Sequence, residues 1–110
     1  MECFLDWKKE MIDSHCHLDF KEFKEDLSEI LLNAKKSNVT GMQTICTKIS
    51  EFDKIQDISK NNNNIWCSIG THPHNAKDEM HITADQIIKL CKNKNLIGIG
   101  ETGLDYYYEN

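Results

Sequence analysis

Four short apolar runs, each followed by a helical or polar stretch, constrain this chain more than any other feature. They are Met11–His17, Met42–Thr47, Ile65–Thr71 and Leu96–Gly100. Each is too short for a helix, and Ile, Cys and Thr side chains that suit a pleated surface recur in them. Between the first two, Phe23, Leu27, Ile30, Leu31 and Ala34 recur with the spacing of one buried helix face. Gly41 stands after that helix, where the chain would turn into the next strand. Phe52, Ile55 and Ile58 repeat the helical pattern with Ser50 as the expected cap, and Asn61–Asn64 ends it. Ala84, Ile87, Ile88 and Cys91 form a third helical face, with Thr83 and Gln86 in capping-box positions before it.

Strands alternating with helices predict βαβ units and a parallel sheet. The runs begin at residues 11, 42, 65 and 96, so consecutive starts are 31, 23 and 31 residues apart. Eight repeats of that size need roughly 230 residues, close to the ~250 of a (β/α)8 barrel. The expected fold is therefore α/β, with about four parallel strands and three intervening helices. Either the N-terminal half of such a barrel or a small open sheet satisfies the pattern. Residues 1–110 read as one domain.

Composition adds exclusions. The chain is 39% hydrophobic and 28% charged, an ordinary globular balance. No apolar run approaches the ~18 residues of a membrane helix. Met1 to Glu10 mixes acidic and basic residues and lacks the apolar stretch of a signal peptide. A soluble, cytoplasmic protein is the expectation. The net charge is −5 and all 13 basic residues are lysine, which argues against nucleic-acid binding by charge alone. An acidic enzyme can still act on phosphodiesters if a metal supplies the positive charge. The five cysteines, Cys3, Cys16, Cys46, Cys67 and Cys91, are odd in number and never form a C-x-x-C pair. Buried free thiols are expected in preference to disulfides or a zinc knot.

Three segments carry residues suited to chemistry. In Ile12-Asp13-Ser14-His15-Cys16-His17-Leu18-Asp19, alternation along a strand puts His15 and His17 on one face. Two imidazoles so placed can reach one metal ion, and Asp13 shares their face and could orient a ligand. The plain alternative is two solvated histidines near a turn. Gly70-Thr71-His72-Pro73-His74 follows the third run, at the C-terminal rim where ligands bind in parallel sheets. Its histidines are either site residues or surface polar groups. Glu101 ends the fourth run between glycines, placed to ligate or bridge cations, or else to cap a helix or form a salt bridge. Asp105 either holds the following loop or touches the site. Tyr106, Tyr107 and Tyr108 either stack on bases or pack against the sheet. His81 is isolated and receives no role.

Taken together, these segments and Gly100-Glu101-Thr102-Gly103-Leu104-Asp105-Tyr106-Tyr107 resemble the three N-terminal signatures of the TatD family. That family comprises metal-dependent hydrolases of the amidohydrolase superfamily with deoxyribonuclease activity. The resemblance runs from about Met11 to the end of the chain. It implies a (β/α)8 barrel with one or two divalent cations, Zn, Mn or Mg, at the C-terminal mouth. His15 and His17 would be metal ligands, and Glu101 a further, bridging ligand in the catalytic centre. His72 would lie near the scissile phosphate, with His74 and Asp105 also on the substrate side. The substrate would be DNA, and for some members RNA, trimmed from an end by a metal-activated water. The family's remaining histidine ligands and its late aspartate belong to strands beyond the fourth, so these 110 residues alone are expected to be nearly inactive. Two other readings stay open. One is another amidohydrolase or a histidinol-phosphatase-like metal hydrolase, against which the Gly100–Asp105 segment argues. The other is a non-catalytic remnant or binding module that works through an open sheet edge.

Overall fold

A computed structural model describes residues 9–108. Residues 1–8 and 109–110, and with them Cys3 and most of the N-terminal stretch read above, lie outside the described residues. Strands β1 (Met11–Cys16), β2 (Val39–Thr44), β3 (Ile65–Ile69) and β4 (Leu96–Ile99) form one sheet in the order β1-β2-β3-β4. Every neighbouring pair is parallel. Helices α1 (Leu27–Lys36), α2 (Phe52–Lys60) and α3 (Ala84–Leu90) connect successive strands. Short 3-10 segments at Lys21–Phe23, Ile49–Glu51 and Pro73–Glu79 lie on the way into them.

The apolar faces read for α1 and α2 pack on the sheet, whereas of the face read for α3 only Ile87 does. Ala84, Ile88 and Cys91 are exposed, and Leu90 packs in their place because the short helix meets the sheet along one narrow line. Phe52 and Ile55 of α2 are fully buried with Cys46, Ile49, Cys67 and Ile69, and Ile87, Leu90 and Leu96 close over them. Leu27, Ile30, Leu31 and Ala34 of α1 pack on Leu18, Met42 and Ile65. Burying an aliphatic or phenyl side chain is worth about 1.5–3 kcal/mol, so these clusters hold helices too short to persist alone. The Thr83–Gln86 capping box is present, with the Thr83 hydroxyl accepting from Gln86 N–H and the Gln86 carbonyl accepting from Thr83 N–H.

Four further expectations are corrected. Phe23 belongs to the 3-10 turn before α1 and is exposed, because the chain needs that turn to climb from the rim onto the sheet. Gly41 lies inside β2, and the turn is made earlier by Asn38 at φ 63°. A Cβ on Gly41 would stand 2.7 Å from Ile12 Cδ1 and 2.8 Å from Trp66 Cζ3, so its smallness lets β1 and β3 side chains meet across β2. The Ser50 side chain caps nothing. The Ile49–Glu51 turn extends the helical run forward, and Glu79 takes up the N–H groups of Ile49 and Ser50 at 2.8 and 2.9 Å. Cys46 and Cys67 are buried free thiols, but Cys91 is exposed where the chain leaves α3.

Among the described residues, the outer edges of β1 and β4 have no strand partner, and Met11, Ile12, Ile97 and Ile99 on them are exposed. No helix among the described residues is long and apolar enough to cross a membrane.

Candidate metal centre

The C-terminal ends of the strands form one rim. Beyond the ladders, Ile45 N–H donates to Cys16 O at 2.8 Å and Gly100 N–H to Ile69 O at 2.8 Å. Glu101 N–H donates to Cys46 O at 3.1 Å, which fixes the start of the β4 exit against β2. Ser68 is the hub of this rim. Its hydroxyl donates to Gly100 O at 2.6 Å and accepts from Cys46 N–H at 3.3 Å. Gly70 completes the contact, since a Cβ there would lie 2.6 Å from Glu101 O and from Gly100 C.

This framework brings His15, His17 and Glu101 together, with one ligand atom of each within 4.8 Å of the others. The His15 and His17 rings meet edge to face at 5.2 Å between centroids. Glu101 spans the group, with Oε2 3.8 Å from His15 Nε2 and Oε1 3.5 Å from His72 Nε2. Asp13 accepts the backbone N–H of His15 at 3.1 Å, so it steadies the strand end and not the ring.

Hydrogen bonds decide what each imidazole presents. His17 Nδ1–H donates to the Ile45 carbonyl at 3.1 Å, which leaves the Nε2 lone pair free for a cation. His72 is the opposite case. Its Nδ1 accepts the His74 N–H at 3.0 Å, so in the neutral ring Nε2 carries the proton and faces Glu101 as a donor. His17 thus presents a free ring nitrogen as an acceptor, and His72 presents a donor. His74 Nε2 lies 2.8 Å from Asp105 Oδ2, joining the β3 and β4 exit loops. The Tyr107 N–H and then His74 hold the Asp105 carboxyl below its ordinary value. His74 packs edge to face on Tyr108 at 4.9 Å, while Tyr106 and Tyr107 are largely exposed.

Sequence reasoning missed Ser68, Asp19 and Glu79. Glu79 is buried and accepts from Thr71 Oγ1 at 2.7 Å as well as from Ile49 and Ser50 N–H. Burial alone would raise its pKa, but the bonds from Ser50, Thr71 and Ile49 outweigh it and hold the carboxyl below its ordinary value. It clips the loop that carries His72 to the start of the α2 run. A buried acid distant in sequence from its donors leaves no local pattern, so only the fold reveals it.

A parallel βα sheet carrying imidazoles and a carboxylate at its C-terminal rim is an arrangement that can hold a divalent cation. The chain belongs to the TatD related DNase family, whose model matches residues 12–110. It is 38% identical to an uncharacterized metal-dependent hydrolase of Buchnera aphidicola over 109 residues, covering 91% of this chain and 41% of that protein. With the deoxyribonuclease TATDN3 of Homo sapiens it shares 32% identity over 105 residues, 87% of this chain and 38% of that one. The crystal structure of YJJV, a TatD homologue from Escherichia coli, superposes with a TM-score of 0.82 at 24% identity, over 90% of this chain and 39% of that one. The fold is accordingly the N-terminal half of a barrel of that type. The chain spans about two fifths of the length of these relatives.

Proposed function

We propose that residues 1–110 form part of a cytoplasmic, TatD-type hydrolase domain that cleaves phosphodiester bonds in DNA or RNA, exonucleolytically. A 3'-5' ssDNA/RNA exonuclease TatD of Citrobacter koseri, 28% identical over 96 residues, supports that substrate class. The observation that carries the reading is the convergence of His15, His17 and Glu101, with the His17 tautomer already fixed for ligation. Two neutral imidazoles and one carboxylate fit a divalent cation of the Zn, Mn or Mg group. When bound, one or two such cations supply the charge that acidifies a water and offsets the leaving oxygen.

The chain's own residues then divide the work. His15, His17 and Glu101 would hold the cation or cations, and the Glu101 carboxylate would offset part of their charge. His72 donates its Nε2–H to a phosphate oxygen. The His74–Asp105 pair lines the substrate side and keeps the His74 backbone turned toward His72. Metal analysis of the purified protein tests the site, with His17→Ala as the comparison. Loss of bound Zn2+ or Mn2+ in the variant is expected. Full metal content in His17→Ala would overturn the assignment.

A further inference from the structure

A groove of about 750 Å³ opens beside the candidate metal centre, between the β1 exit and α2. Leu18, Leu27 and Ile58 give it an apolar floor, and Phe20, three lysines (Lys21, Lys24, Lys54) and three acids (Asp19, Glu22, Glu51) furnish its walls. Its volume is in the range of sites that take one small organic molecule. Phe20 links the groove to the centre, because its ring stacks on His17 at 4.6 Å with an interplanar angle of 11°. That stack leaves Phe20 41% exposed while fixing the ring plane.

Three features of the groove call for a ligand of one kind. A fixed aromatic wall offers a stacking face to a planar base. Asp19 Oδ1 is buried without a hydrogen-bond partner among the described residues, so it is an acceptor in need of a donor. Lys54 is paired with Glu51 at 3.2 Å, whereas Lys21 and Lys24 form no ion pair among the described residues. Two uncommitted ammonium groups, set beside the Glu22 carboxylate that is unpaired among the described residues, a stacking face and an orphaned acceptor match the anionic phosphate, the planar base and the N–H or O–H donors of a nucleotide.

We propose that this groove binds one nucleotide of the substrate strand, adjacent to the phosphodiester that is cut. The base stacks on Phe20, Asp19 accepts a hydrogen bond from the base or sugar, and Lys21 and Lys24 contact the phosphate. This deepens the nuclease reading and rests on it for the nature of the strand. It makes Phe20 a substrate-binding residue that supplies no ligand atom to the cation.

The test is an NMR titration of the full chain with a single-stranded thymidylate tetranucleotide in EDTA. The expected result is shifts at Leu18, Phe20, Lys24 and Ile58, with Phe20→Leu weakening binding at least about fivefold and Phe20→Trp retaining it. Asp19→Ala and a Lys21→Ala/Lys24→Ala double variant should each weaken it too. Unchanged affinity in Phe20→Leu, or inorganic phosphate competing as well as the tetranucleotide, would overturn the proposal. Zn2+ affinity measured on EDTA-free samples of the same proteins separates the two readings. If Zn2+ fails to bind the wild type while the groove shifts persist, the metal-site reading fails and the groove stands. If Zn2+ binds normally and the groove stays silent, the groove proposal alone fails.

Discussion

Gly70→Ala should damage the candidate metal centre without touching a single donor atom. The new Cβ would sit 2.6 Å from Glu101 O and Gly100 C and 2.8 Å from Gly100 Cα, about 0.8 Å short of the 3.4 Å at which ordinary contact begins. All three atoms are backbone, so no side chain can swing aside. The β4 exit must move outward by most of that distance, against the Gly100 N–H to Ile69 bond and the Ser68 to Gly100 bond. Overpacking of this kind costs about 1–3 kcal/mol, and losing one of those bonds adds about 1 kcal/mol. The sum lowers Tm by roughly 10–25 °C for a domain of this size. Glu101 is carried along, and metal donors tolerate only about 0.2 Å of error, so divalent-cation affinity should fall by roughly 10–100-fold. Gly41→Ala is the control. Its Cβ also comes within 2.7 Å of neighbours, but these are the tips of Ile12 and Trp66, which can rotate. It should cost less stability and leave cation affinity unchanged. Calorimetric melts and Zn2+ titrations on both variants would decide. A Gly70→Ala protein with the wild-type Tm and Zn2+ affinity would refute the reasoning.

Other outcomes follow from the same geometry. Glu101→Gln should retain the fold, because the side chain is partly exposed, but weaken cation binding about tenfold or more, as titration of the variant would read. For Glu79 the folded pKa lies below the ordinary 4.5, so its contribution is present above that value and lost as pH falls through the folded one. Thermal melts from pH 7 to pH 3 should show this acid loss in the wild type. Glu79→Gln should be about 1–3 kcal/mol less stable at pH 7 and lack that part of the pH dependence, and parallel slopes would contradict the assignment. Burial pushes the Cys46 thiol up to about 11, so a thiol reagent at neutral pH should label exposed Cys91 quickly and reach Cys46 only on unfolding. Equal rates for the two would show that this core opens readily.

What the sequence disclosed and what it withheld have separate physical causes. Strand–helix alternation and the apolar faces of α1 and α2 were legible because burial imposes a period on residues close in the chain. The α3 face was misread at Ala84, Ile88 and Cys91, which the short helix turns to the surface. The pairing of His15 with His17 was legible for the same reason, since a strand repeats every two residues. The approach of Glu101 and His72 to them was inferred from the common rim of parallel strands and the resemblance, and the fold brings them together. The turn before β2 was misplaced at Gly41 because glycine serves close packing as well as turns, and Asn38 supplied the positive φ. The Ser50 cap failed because Ser50 lies inside the Ile49–Glu51 turn and not before it, and the N–H groups that open that turn are taken by Glu79, about 30 residues away in the sequence. Tautomers were invisible in sequence altogether. They depend on which backbone group meets each ring, the Ile45 carbonyl for His17 and the His74 N–H for His72.

The most direct test of the central claim is anomalous diffraction from crystals of this protein soaked with Zn2+ or Mn2+. The account predicts a peak about 2.0–2.2 Å from His17 Nε2, shared with His15 and Glu101, with His72 outside ligand distance and its Nδ1 still bound to the His74 N–H. A peak elsewhere, with His15, His17 and Glu101 unligated, would contradict it.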